Sequence, residues 1–200
     1  KILPQILREL GAEVVAIAVT PDGFNINKEC GSTKPEKAQK AVLENCADIG
    51  ICLDGDADRV LFIDEQGKLA NGDQVIGLLA KAWMEKNLLN KSTVVATVMS
   101  NLALEQYLEK IGVSLIRTQV GDKNVSKCMN REGLNLGGEQ SGHLILSDYS
   151  DAGDGLITSL QVLSVLVESK KKASKLFDLF NPFPQSLINI DADKCNDFQK

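Results

Sequence analysis

The stretch Asp54-Gly55-Asp56-Ala57-Asp58-Arg59 sets three carboxylates on alternate positions. Anions so close repel one another strongly unless a positive charge sits among them. A hard divalent cation held by oxygen ligands fits the stretch. Mg²⁺ suits a loop that supplies a few ligands and leaves room for a phosphate oxygen. Asp and Gly are also ordinary turn residues, so an isolated Asp-Gly-Asp would read as a solvated turn. The third Asp in step, the Arg59 that follows and the apolar runs on both sides favour the metal. A calcium helix-loop-helix is set aside: its loop needs Gly where Arg59 stands and polar ligands where residues 60–63 are apolar.

A second chemical stretch is Gly137-Gly138-Glu139-Gln140-Ser141-Gly142-His143, which holds the single histidine. Its glycines let backbone approach a ligand closely. Glu139 and Ser141, two apart, face one side of an extended loop and suit neighbouring sugar hydroxyls. His143 is available near neutral pH for proton transfer or a phosphate contact. A plain hairpin turn with a surface histidine is the competing reading. Gly121-Asp122-Lys123 stands where backbone N–H groups and a lysine meet an anion, though a helix cap by Asp122 explains it equally well. Gly153-Asp154-Gly155 carries the same ambiguity.

These stretches need elements to hold them. Residues 49–53 and 60–63 are short runs of branched apolar side chains, so they read as buried strands flanking the acidic loop. Apolar positions at helical spacing predict a helix over 2–10, stopped by Gly11, followed by a strand over 13–19 and a loop over 20–32. Thr33 and Glu36 have capping-box spacing, which predicts a helix over 35–45. After a turn at 65–68 the pattern begins again. Helices are expected over 73–85, 102–111, 123–131, 156–167 and 174–181. Strands are expected over 93–98 and 113–117, as a pair within 135–146, and over 186–190. This is an α/β protein: two consecutive α/β domains with mixed sheets between helices, bounded near Gly67, and then the start of a third.

Bulk properties narrow the function. Apolar residues make up 44% of the chain and charged residues 24%, as in ordinary globular proteins. A net charge of −5 without a dense Lys/Arg run argues against a nucleic-acid or membrane-surface binder. Lys170-Lys171-Lys172 reads as a solvated helix C-terminus. Five cysteines (Cys30, Cys46, Cys52, Cys128 and Cys195) form no C-x-x-C pair, which points to a reducing, cytoplasmic setting with Cys46 and Cys52 in the core. One histidine and scattered thiols speak against zinc. Signal-peptide and membrane-spanning patterns are absent. The chain opens on Lys1 in apparent mid-helix and reads as a fragment.

Taken in order, Pro21-Asp22-Gly23, Asn25-Ile26-Asn27, Cys30-Gly31-Ser32, the acidic loop, Val120-Gly121-Asp122 and Gly138-Glu139-Gln140-Ser141-Gly142-His143 resemble the α-D-phosphohexomutase superfamily. The likeness spans nearly the whole chain and is strongest to its phosphoglucosamine mutases. It implies that Asp54, Asp56 and Asp58 hold Mg²⁺ beside a phosphoserine, with Arg59 near the phosphate. Glu139 and Ser141 would contact sugar hydroxyls, with Gly121 and Lys123 also in the substrate site and His143 the catalytic candidate. It implies interconversion of glucosamine 6-phosphate and glucosamine 1-phosphate through a 1,6-bisphosphate, a step in amino-sugar supply for peptidoglycan.

The resemblance also divides the chain. Residues 1–66 would be the end of the second domain, 67–175 the third, and 176–200 the linker and start of the fourth. The nucleophilic serine would come from an N-terminal domain and a further phosphate loop from a C-terminal one, so the fragment alone should turn over nothing. A homodimer stays open. Three positions depart from the family pattern: Ala57 replaces a usual Gly, which costs little at negative φ, Lys123 replaces Arg, and Gln119 replaces Lys. The alternatives are a phosphomannomutase/phosphoglucomutase, a haloacid-dehalogenase-type phosphatase with Asp54 as nucleophile, and a non-catalytic sugar-phosphate-binding module.

Overall fold

The computed structural model of the chain describes residues 2–188. An N-terminal helix, α1 (Ile2–Glu9), and α2 (Glu36–Glu44) precede a three-stranded antiparallel sheet of β1 (Ile49–Leu53), β2 (Val60–Asp64) and β3 (Leu69–Ala70). Every residue of β2 is buried, and its alternating side chains divide between two cores. Leu61 and Ile63 face α2 with Val42 and Cys52. Val60 and Phe62 face the opposite way, into the main core.

That main core is built on α3 (Gly72–Glu85), whose apolar residues recur at helical spacing and bury Val75, Ile76, Leu78, Leu79 and Trp83. Asn71 caps it in a full capping box with Gln74. Next come β4 (Thr93–Thr97), α4 (Leu102–Lys110), β5 (Ser114–Thr118), α5 (Asp122–Glu132), β6 (Leu136–Gly138), β7 (Leu144–Leu146), α6 (Gly155–Ser169) and α7 (Ala173–Phe177). The second sheet has the order β5-β4-β6-β7, with β5 and β6 parallel to β4 and β7 antiparallel to β6. The chain steps from β4 to one side and returns on the other. This reversal opens a crevice at the carboxyl ends of the parallel strands, where ligands bind in open α/β sheets.

The mixed-sheet α/β class expected from sequence is what the chain adopts, with local corrections. Residues 13–19 form no strand. Val15, Ile17 and Val19 are exposed, and Ala18 turns to φ +53°, which breaks an extended run. The Thr33–Glu36 capping box does not form, because Pro35 is the N-cap and Glu36 therefore falls in the first helical position. Cys46 is exposed at φ +49° in the turn after α2, whereas Cys52 is buried. Strand β3 was not foreseen. Residues 186–188 have no regular structure, and the remainder of the strand expected there, with Cys195, lies outside the described residues.

Candidate functional site

The acidic loop joins β1 to β2, whose antiparallel register closes at Leu53 and Val60. The backbone returns on itself: Asp54 N–H donates to Arg59 O (3.4 Å), and Arg59 N–H donates to Asp54 Oδ1 (3.1 Å). The turn thereby projects the three carboxylates together. One oxygen from each of Asp54, Asp56 and Asp58 lies within 4.8 Å of the others. Asp58 Oδ1 is buried with no hydrogen-bond partner among the described residues, so an acceptor faces inward with none of them to accept from. Burial lifts the Asp58 carboxyl above its ordinary value, and the Asp54 hydrogen bond and the neighbouring Asp54 charge add to this, against a lowering by His143. An all-oxygen donor set with an orphaned buried acceptor fits a hard divalent cation.

Arg59 extends over the loop, its Nε 4.0 Å from both Asp54 Oδ2 and Asp58 Oδ1. Ala57 sits at φ +63°. The condition of negative φ under which this Gly-to-Ala departure costs little is therefore not met, and a left-handed alanine is strained by about 1–2 kcal/mol. Its carbonyl accepts from Gly155 N–H (2.8 Å), so the N-terminus of α6 is used to seat the acidic loop. Asp154 is the cap of that helix, accepting from Leu156 and Ile157 N–H. The loop before α2 packs against this turn: Ser32 N–H donates to Leu53 O at the end of β1 (3.1 Å), and Ile26 lies against Gly55.

The glycine-rich stretch turns between β6 and β7 and abuts the acidic loop. Arg59 and His143 form an antiparallel bridge, and Val60 N–H donates to Gly142 O (3.0 Å). His143 is 5% exposed and places Nε2 at 3.4 Å from Asp58 Oδ2, while its Nδ1 is buried without a partner among the described residues. A Cβ at Gly153 would overlap the His143 ring, so that glycine is the floor on which the imidazole lies. Glu139 Oε1 accepts from Gly121 N–H (3.0 Å), linking this turn to the loop after β5. Ser141 is exposed at the tip.

The helix at Gly121 differs from the cap expected. Gly121 itself is the N-cap, and Asp122 is the first helical residue, accepting from Lys123 N–H (2.8 Å). Lys123, Ser126 and Lys127 on α5, with His143, Asp151 and Ala152, line a cleft of about 280 Å³. The structure therefore gathers Asp54, Asp56, Asp58, Arg59 and His143 into one cluster. Glu139 and Gly121 adjoin it through the turn, Ser141 stands at the tip, and Lys123 shares the cleft with His143. Sequence reading missed Gly72 and Asp73, and it marked Gly153 only within an anion-or-cap stretch, not as the seat of His143. The Asn71-x-x-Gln74 spacing signals the capping box, but nothing local marks a glycine needed by a distant loop.

An α/β protein whose carboxylate cluster meets a glycine-rich turn edge to edge is the class that fold and site define. Residues 71–183 match the phosphoglucomutase/phosphomannomutase alpha/beta/alpha domain III, and residues 1–67 match domain II. The chain belongs to the phosphoglucomutase/phosphomannomutase family. It is 55% identical over 95% of its length to a phosphoglucosamine mutase of Zymomonas mobilis, covering 43% of that protein. A phosphoglucosamine mutase of Parvibaculum lavamentivorans is 56% identical over the same share, 42% of its own length. The chain thus spans less than half the length of the relatives it matches. Among solved structures, a Burkholderia thailandensis phosphoglucomutase/phosphomannomutase family protein superposes with a TM-score of 0.80 at 24% identity, over 90% of this chain and 40% of that one. Aspergillus fumigatus N-acetylphosphoglucosamine mutase, in complex with GlcNAc-6P and magnesium, gives 0.62 at 20% identity, over 79% and 38%.

Proposed function

We propose that the protein to which this chain belongs is a phosphoglucosamine mutase, interconverting glucosamine 6-phosphate and glucosamine 1-phosphate through a phosphoserine and a 1,6-bisphosphate. The observation that carries this reading is the Arg59–His143 bridge, which joins the carboxylate loop to the Glu139-Gln140-Ser141 turn. The identity of 52–56% to phosphoglucosamine mutases of several bacteria supports the choice of sugar. Asp54, Asp56 and Asp58 would hold Mg²⁺, which when bound neutralises charge on a transferring phosphoryl group. Arg59 would lie along that phosphate. Glu139 and Ser141 would take sugar hydroxyls, with Glu139 fixed for the task by Gly121 N–H, and Lys123 would add positive charge at the rim. His143, resting on Gly153 and facing Asp58, is placed to hold or pass a proton at Nε2.

On this reading residues 1–66 end domain II, 67–175 form domain III and 176–200 lead into a fourth domain, with the nucleophilic serine on a preceding domain of the same polypeptide. A cytoplasmic setting follows from the substrate and accords with four free thiols among the described residues and no described helix long and apolar enough to cross a membrane. The test is turnover by the full-length protein. Glucosamine 6-phosphate should isomerise only with Mg²⁺ and a catalytic trace of the 1,6-bisphosphate. Phosphate release without isomerisation would replace this reading with a phosphatase.

A further inference from the structure

Asp73 is the second residue of α3 and is 1% exposed. Its Oδ2 accepts from two donors on different segments: Gln140 Nε2 at 3.1 Å, between Glu139 and Ser141, and Asn101 N–H at 2.9 Å, in the loop after β4. The first contact is reinforced by Gly72 N–H, which donates to Gln140 O (3.0 Å), and by the absence of a side chain at Gly72, where a Cβ would overlap Glu139 O. The second leads outward. Asn101 caps α4 through Ala103 N–H and also grips the segment after α7. Its Oδ1 accepts from Phe183 N–H (3.0 Å), and its Nδ2 donates to Phe183 O (2.9 Å). Gln185 Nε2 in turn donates to Met99 O (3.0 Å).

We propose that Asp73 is a positioning residue that couples the seating of the 139–142 turn to the grip on residues 183–185. One buried oxygen serves both donors, so moving either donor changes what the other meets. Asp73 and Asn101 are buried, so water does not readily substitute for this shared acceptor, and the Asn101 N–H left behind is penalised. The 183–185 segment follows α7 and lies at the end of the domain III match. A rearrangement of the polypeptide beyond it is therefore felt at the sugar-facing turn through Asn101, Asp73 and Gln140. The coupling itself is a property of this fold. Only its catalytic consequence rests on the mutase reading.

The test uses the full-length protein and three variants. Asp73→Asn keeps an acceptor in place, Asp73→Leu removes it at similar volume, and Gln140→Met removes one donor without touching Asn101. Amide hydrogen exchange is read at residues 72, 142 and 183. Asp73→Leu should speed exchange at all three by about tenfold, the scale of one buried hydrogen bond lost, and Asp73→Asn should stay within about twofold of the parent. Gln140→Met should speed exchange at Phe183, which it does not contact. Loosening confined to one segment in Asp73→Leu, or an unchanged Phe183 amide in Gln140→Met, overturns the proposal. Should Asp73→Leu not fold, Gln140→Met decides. In turnover, Asp73→Leu should raise KM for glucosamine 6-phosphate about tenfold with Asp73→Asn restoring it. Equal impairment of both variants overturns positioning by an acceptor. Absence of isomerisation in the parent would sink the mutase reading while the exchange data still judge the coupling.

Discussion

Two residues at the site make predictions of their own. Ala57 is held at φ +63° by its carbonyl bond to Gly155 N–H and by the closure of the loop at Asp54 and Arg59. Relieving a left-handed alanine returns about 1–2 kcal/mol, partly offset by the greater freedom of glycine in the unfolded chain. Ala57→Gly should therefore stabilise the protein by up to about 1 kcal/mol, seen as a higher urea midpoint with an unchanged slope. A lower midpoint would mean that the alanine methyl packs favourably enough to outweigh the strain. Ser141 is exposed at the tip of its turn, so its loss leaves no buried group unsatisfied. On the mutase reading, Ser141→Ala should raise KM more than it lowers kcat, with melting unchanged. A larger fall in kcat would assign the hydroxyl to the reacting centre. The carboxylate spacing and the single histidine were legible in the sequence because both lie within a few residues. The strain at Ala57 was not, since φ is set by the partners that close the loop.

At the scale of the element, the N-terminus of α3 makes a prediction through pH. Burial raises the Asp73 carboxyl above its ordinary value, and the bonds from Asn101 N–H and Gln140 and the charge of Arg117 offset this only in part. Arg117 is itself committed, to Glu105 on α4 and to Ser100 O. A carboxyl whose folded pKa is raised binds its proton more tightly in the folded state. Its contribution to stability is complete below the unfolded value of about 3.9 and is lost as pH rises through the folded one. Asp73→Asn should accordingly flatten the pH dependence between those two values and match or exceed the parent in melting temperature at neutral pH. A deficit in the variant that widens as pH rises would instead show that the carboxylate is wanted as an anion. Periodicity revealed the helices of this region, and Asn71 with Gln74 marks where α3 begins. What pattern reading could not see is that Asp73, between them, reaches donors 28 and 67 positions away. Residues 13–19 failed in the opposite direction. A short apolar run becomes a strand only when another strand lies beside it, and among the described residues none does.

For the whole molecule, the question is whether the two family domains within this chain behave as separate bodies. The break between the matches falls at residues 68–70, yet β3 lies across it and pairs with β2. The core does not break there either. Phe62 of β2 is fully buried, its ring 5.8 Å from that of Phe177 on α7, and it belongs to the same cluster as Leu79, Leu104, Leu136 and Leu144. Leu61, one residue earlier, points into the small cluster under α2. Adjacent residues of one strand thus report on two cores. Phe62→Ala should destabilise by about 3–5 kcal/mol and speed hydrogen exchange in α4 and β5 as well as in β1, because the cavity opens in the shared core. Leu61→Ala, worth about 2–5 kcal/mol by the same reasoning, should loosen α2 and β1 while leaving α4 and β5 protected. If Phe62→Ala instead left exchange in α4 and β5 at the parental rate, the sheet carrying the carboxylate loop would be an independent unit resting on its neighbour. The Arg59–His143 bridge would then be a contact between bodies free to part, and not a fixed joint within one core.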